Sequence, residues 1–217
     1  MAQAVNAFAV AYILGVFALC SSSEVRAQAL EEVTPTAEIS PGFDSWSLFL
    51  VCNPAWLVEN GDPGIKELFW RYRAFGDAIG PKNLAIWFWK SRGKPTADNT
   101  DVSRSSEYCK KYKLLPSDAP YVLVTTHHPD EPNPSDHFVM RLNGLNAHDS
   151  ASALATLTDQ IVLTGLNQSE LDWSTRWLRL LAATTSAIKA TGCYFNKVSF
   201  SFKTSVFIAE VEHSAAC

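Results

Sequence analysis

Apolar residues recur along this chain in two periods, and the alternation between them predicts most of its elements. Ser47 to Val51 is nearly all apolar and β-prone, as a strand buried on both faces should be. Asp62-Pro63 supplies an N-cap and a first-turn proline for a helix whose Ile65, Leu68, Phe69, Tyr72 and Phe75 share one face, with Gly80-Pro81 as its stop. Leu84 to Trp89 is a second continuous apolar strand. Asp101 caps a short helix to about Tyr112 that buries Val102, Tyr108 or Cys109, and Tyr112. The loop Pro116 to Pro120 runs directly into the strand Tyr121 to Thr126. After a polar excursion from His127 to Asp136, residues His137 to Leu142 alternate like a strand, and Asn143-Gly144 makes a turn or bulge. Ala151, Leu154, Leu157 and Ile161 form the stripe of a helix closed by Gly165.

Two flanking regions follow different rules. Residues 28 to 45, with Glu31-Glu32, Pro35 and Pro41, read as a flexible, acidic, proline-spaced leader with little to bury. At the other end, Ser169 with Asp172 resembles a capping box for a helix to about Ala190, lined by Trp173, Trp177, Leu180, Leu181 and Ile188. Gly192 fits its stop, and Lys197 to Lys203 and Val206 to Glu212 form a hairpin. This tail, residues 166 to 217, is placed to extend the sheet, cover an edge or form a contact surface.

Composition narrows the class. The chain has 217 residues, 47% of them apolar, with 18 basic against 22 acidic side chains and a net charge of -4. That balance excludes the clustered basic excess of a nucleic-acid binder. Lys110-Lys111 reads as a solvated helix face. Phe8 to Leu19 is apolar but short for a membrane span, and Val25-Arg26-Ala27 offers a small-x-small cut site. Residues 1 to 27 are therefore expected to be a signal peptide, although no basic residue precedes Arg26. A secreted or periplasmic location follows, with membrane contact only through an uncleaved segment. Cys52, Cys109, Cys193 and Cys217 would remain, and they allow three pairings in an oxidising compartment. Cys193 and Cys217 flank the hairpin and are placed to staple it.

The order over residues 46 to 165 is β-α-β-α-β-β-α: a parallel βαβ pair and a hairpin packed between helices. That order, its spacing and Pro120 opening the third strand resemble the thioredoxin-like superfamily. The expected fold class is thus an α/β, thioredoxin-like sandwich with a C-terminal helix plus β-hairpin extension. The resemblance implies that Pro120 is cis and faces the turn after the first strand. In that family the turn usually carries Cys-x-x-Cys, whereas here Cys52 stands alone before Asn53-Pro54-Ala55-Trp56.

Chemistry is sparse on these residues. Cys52 lacks a nearby resolving cysteine, and the helix signal at Asp62-Pro63 is too far along the chain to activate it. Peroxiredoxin-like enzymes place a threonine three residues before their cysteine, where this chain has Phe49. Cys109 reads as a packing or disulfide residue. His127, His128, His137 and His148 invite a metal, but adjacent histidines on a strand end point to opposite faces, and no zinc spacing occurs. Hydrolase elbows and phosphate-binding glycine loops are missing. Asn167-Gln168-Ser169 matches a glycosylation sequon. We therefore expect no cofactor, no metal site and no catalytic residue. The expected function is a non-catalytic binding or assembly module for a peptide or protein partner. Its groove would gather Cys52, an exposed Trp56, Ala119, Pro120 and His127, because the proline loop of the resembled fold pairs its backbone with bound chains. The alternative is a thiol-dependent oxidoreductase or peroxidase acting through Cys52.

Overall fold

The apolar runs from Ser47 onward become strands of one seven-stranded sheet in the computed structural model, which describes residues 30–132, 136–142, 144–166, 172–191, 198–203 and 208–211. The expected signal peptide and Cys193 and Cys217 lie outside the described residues, as do Ser169 and the sequon. The strands are β1 (Leu30–Val33), β2 (Ser45–Leu50), β3 (Asn83–Phe88), β4 (Tyr121–Thr125), β5 (His137–Arg141), β6 (Ser199–Lys203) and β7 (Ile208–Val211). They lie in the order β1-β3-β2-β4-β5-β6-β7. β1, β3 and β2 are parallel, and every later pairing is antiparallel.

Helices α1 (Pro54–Ile79), α2 (Val102–Lys111), α3 (Ala147–Thr164) and α4 (Trp173–Thr191) complete a mixed α/β protein. Alternate strand residues sort into two cores, as the pleat requires. On one face Phe49, Trp87, Val124, Phe138, Phe200 and Phe202 pack against α1, α3 and α4. On the other, Leu48, Leu50, Ile86, Leu123 and Val139 meet α2 and the segment after β1. No described helix is long and apolar enough to cross a membrane.

Three expectations need correction here. The leader is not without structure: β1 pairs in parallel with β3, and Val33 and Ile39 are fully buried. Sequence pattern missed it because four residues with two adjacent glutamates show no strand period. The first helix begins at Pro54 rather than at Asp62-Pro63, with Asn53 as N-cap accepting the Ala55 N–H at 3.0 Å. Gly61 (φ 64°, ψ 174°) breaks it into two pieces, a conformation that glycine adopts without a Cβ penalty. Pro63 therefore does open a first turn, but of the second piece. Lys111 is also more than a solvated charge, because its ammonium donates to the Pro129 carbonyl.

Two other caps match the pattern: the Asp101 carboxylate accepts the Arg104 N–H, and Gly165 closes α3 in the left-handed region. The last helix starts later than the expected Ser169 cap, at Trp173, with Asp172 itself accepting the Thr175 N–H at 2.8 Å. The C-terminal hairpin extends the sheet through β6 on β5.

One buried hydroxyl ties α1 to the sheet. Tyr72, fully buried, donates to the Ser47 carbonyl at 2.6 Å and accepts the Ile86 N–H at 3.3 Å, bridging β2 and β3. Burial pushes its phenol far above the usual range. Tyr72→Phe is expected to cost about 1–2 kcal/mol in urea unfolding, the loss of a buried hydrogen-bonding group. A cost near zero would mean that the hydroxyl is dispensable.

At the surface, His148 of α3 meets Glu67 of α1 at 3.0 Å. The hydrogen bond to that carboxylate, and then its charge, raise the imidazole above its ordinary value. The contact is in force below that ordinary value and fades as pH rises through the raised one. An NMR titration is expected to show His148 titrating above free histidine and dropping in Glu67→Gln; an unchanged midpoint in the variant would disprove the coupling.

Candidate functional site

The β2–β4 register decides which expected site residues meet. Leu50 pairs with Tyr121, so the next residues, Val51-Cys52 and Ala119-Pro120, come together at the same end of the sheet. The Ala119–Pro120 peptide is cis, as the resemblance implies. Cys52 and Ala119 belong to one apolar cluster, each 6% exposed, and Pro120 is buried as well.

Cys52 is bonded to Cys109 of α2, 57 residues along the chain, with Cα atoms 6.5 Å apart. Two of the three pairings open to the four cysteines lack this bond, while Cys193 and Cys217 lie outside the described residues. The site also departs from expectation in where its helix starts: Cys52 directly precedes Asn53, the cap of α1, and so stands at a helix N-terminus. Ala55 occupies the position three residues on, where a Cys-x-x-Cys partner would be.

Trp56 and His127 do not join this group as expected. Trp56 is not exposed. It faces the other core, 6% exposed, and its indole N–H donates to the Leu145 carbonyl at 2.8 Å. The helix that begins at Pro54 turns Trp56 under the sheet, whereas a loop there would have left it outside. His127 lies beyond the far end of β4, where Trp46 pairs with Thr125. Five residues of strand at about 3.3 Å each separate Pro120 from Thr125, or about 17 Å. Its backbone N–H is held by the Thr125 hydroxyl at 3.2 Å.

The histidines are spread out accordingly. His128 sets its ring edge-on to Trp46 and bonds the Ile39 carbonyl at 3.2 Å, while His137 packs against Tyr112. Among the described residues, no three His, Cys, Asp or Glu side chains converge as a metal site.

The structure adds a cleft that sequence reasoning missed. About 520 Å³ opens between Pro35, Lys90, Arg104, Glu107, Tyr108 and Asp130. Arg104 donates to the Thr34 and Ala37 carbonyls and lies over the Phe88 ring. The Tyr108 hydroxyl donates to Asp130 at 2.5 Å, and burial first, then that carboxylate, push the phenol well up. Lys111, one turn on, is lowered by burial. No sequence signal marked this cleft, since Asp130 sits in a polar loop 22 residues beyond Tyr108. Its walls are already committed to one another: Arg104 to carbonyls, Tyr108 to Asp130, Asp101 to the start of α2.

The fold and site together define a mixed α/β protein with a buried cysteine bridge at the helix-bearing end of its parallel strands. No protein-family model matches the chain, and no curated protein or solved structure is found to be similar to it.

Proposed function

We propose that this chain is an exported thioredoxin-fold protein without dithiol turnover, acting as a binding or assembly module for a peptide or protein partner. Support for the fold comes from the strand order β1-β3-β2-β4-β5, with one parallel βαβ unit and a cis proline opening β4 beside the end of β2. The observation that carries the functional half is the state of Cys52. The one sulfur at the turn is joined to Cys109 inside the core, and Ala55 stands where a resolving thiol would be. A buried bridge between two elements restrains the chain, and it presents no thiolate to a substrate. Of the expected binding residues, Cys52, Ala119 and Pro120 are the ones that meet at this end of the sheet.

One observation favours the second reading, a thiol oxidoreductase. Cys52 directly precedes the cap of α1, where helix amides stabilise a thiolate once the bridge is open.

A turnover assay separates the two. Catalytic amounts of the protein, with excess dithiothreitol and a disulfide-containing protein substrate, are expected to leave the uncatalysed rate unchanged. Acceleration that disappears in Cys52→Ser would replace the binding module with the enzyme.

A further inference from the structure

The loop of residues 90–99 collects positive charge that nothing around it neutralises. It leaves the carboxyl end of β3, the middle one of the three parallel strands, and a bridge between Trp89 and Thr100 closes its base. α1 precedes β3 on one face of the sheet and α2 follows it on the other. Open α/β sheets hold their ligands beyond strand ends of this kind. Lys90, Arg92 and Lys94 are all exposed and make no ion pair among the described residues. They line one shallow cavity of about 420 Å³, where the only carboxylate is that of Asp98.

Like charges held this close repel one another, yet the loop is tied into a fixed shape. The Asn99 side chain is its centre. Its Oδ1 accepts the Ser91 N–H at 3.1 Å and the Ser91 hydroxyl at 2.9 Å, and its Nδ2 donates to the Ser91 carbonyl at 2.9 Å and the Lys94 carbonyl at 3.3 Å. The Lys90 N–H donates to the Asn99 carbonyl at 2.7 Å, and its ammonium to the Asp98 carbonyl at 2.7 Å. Asp62 of α1 accepts the Ala97 N–H at 2.9 Å and anchors the far side. The backbone N–H groups of Arg92, Gly93 and Lys94, at the tip, meet no acceptor among the described residues. A Cβ placed on Gly93 would meet nothing within 4 Å, so the space over the tip is open.

We propose that this loop is a preformed binding site for the phosphate monoester group of a small molecule, held by the three tip amides and by Lys90, Arg92 and Lys94. Three cations against one carboxylate leave a local positive excess. That excess suits the roughly −1.5 to −2 charge of a phosphate monoester near pH 7 better than the single charge of a carboxylate. Consecutive free amides beside a guanidinium suit a tetrahedral oxyanion, whose several oxygens each need a donor. A long polyanion fits poorly. The whole chain carries a net charge of -4, and the adjoining cleft, which shares Lys90, adds Asp101, Glu107 and Asp130. The site lies apart from Cys52, Ala119 and Pro120 and does not depend on the function proposed above.

Amide chemical shifts of the protein, titrated with glycerol 3-phosphate at constant ionic strength, test the site. Saturable shifts confined to residues 90–99 are expected, with inorganic phosphate competing for them and acetate binding about tenfold more weakly or worse. Arg92→Glu/Lys94→Glu is expected to weaken binding about tenfold or more, whereas Lys66→Glu/Lys110→Glu changes net charge equally at exposed helix positions and should cost less than about twofold. Asn99→Ala leaves every charge in place and is expected to weaken binding about fivefold, because the donors are no longer held together. Spectra unchanged outside the loop show that each variant is folded. Shifts that do not saturate, or that spread over the surface, overturn the site. Equal losses in the two charge-reversal pairs overturn it as well, since they would trace binding to net charge. So does full affinity in Asn99→Ala, because scattered surface charge would then suffice.

Discussion

Trp87→Ala is expected to lower the unfolding free energy by about 4 kcal/mol, within the roughly 3–5 kcal/mol seen when a large aromatic is removed from a packed core. Trp87 is fully buried in β3, stacked on Phe49 at 4.2 Å and on Trp89 at 5.3 Å, with Phe69 tilted and Tyr72 edge-on against it. The cavity would open between α1 and the centre of the sheet, where neighbours on both sides are rigid aromatics and collapse is limited. Trp87→Phe is expected to cost less than half as much. It keeps the stacking and deletes an indole N–H that has no hydrogen-bond partner among the described residues. Urea denaturation of both variants decides the matter, and equal costs would mean that the ring stack contributes nothing beyond area.

Cys52→Ser/Cys109→Ser is expected to cost about 4 kcal/mol as well, for a different reason. A cross-link closing a loop of 57 residues restricts the unfolded chain, and the chain-entropy relation assigns such a loop roughly that value. The effect belongs to the denatured state, so the variant should still fold, with its denaturation midpoint shifted down and most native amides protected. Non-reducing against reducing denaturation of the parent protein should reproduce the same shift. A parent whose midpoint is insensitive to reduction would contradict the bridge itself.

Much of the architecture is legible in local pattern. The strands from β2 to β5 and the body of each helix coincide with apolar runs and stripes, since period and capping are set within a few residues. Asp101 and Gly165 mark helix ends as their residue types suggest, whereas the cap of α4 falls on Asp172, three residues beyond the expected Ser169. The candidate site was legible only in part. Cys52, Ala119 and Pro120 do meet, because antiparallel register brings the end of β2 to the start of β4. Trp56 and His127 failed for two separate physical reasons. A helix starting eight residues before its expected cap rotated one inward, and the length of β4 carried the other to the opposite end of the sheet.

What the sequence determined by itself is therefore the order of elements from β2 onward, the apolar face of each helix and the absence of a second cysteine beside Cys52. Those properties depend on neighbours along the chain, where spacing is known. The tertiary structure alone decided that Glu31-Glu32 lie in a sheet edge, that Tyr108 reaches Asp130, and that Cys52 finds its partner in α2. Each of these joins positions far apart in sequence, and which of them meet depends on how strands register and layers pack. Local period carries no record of that choice.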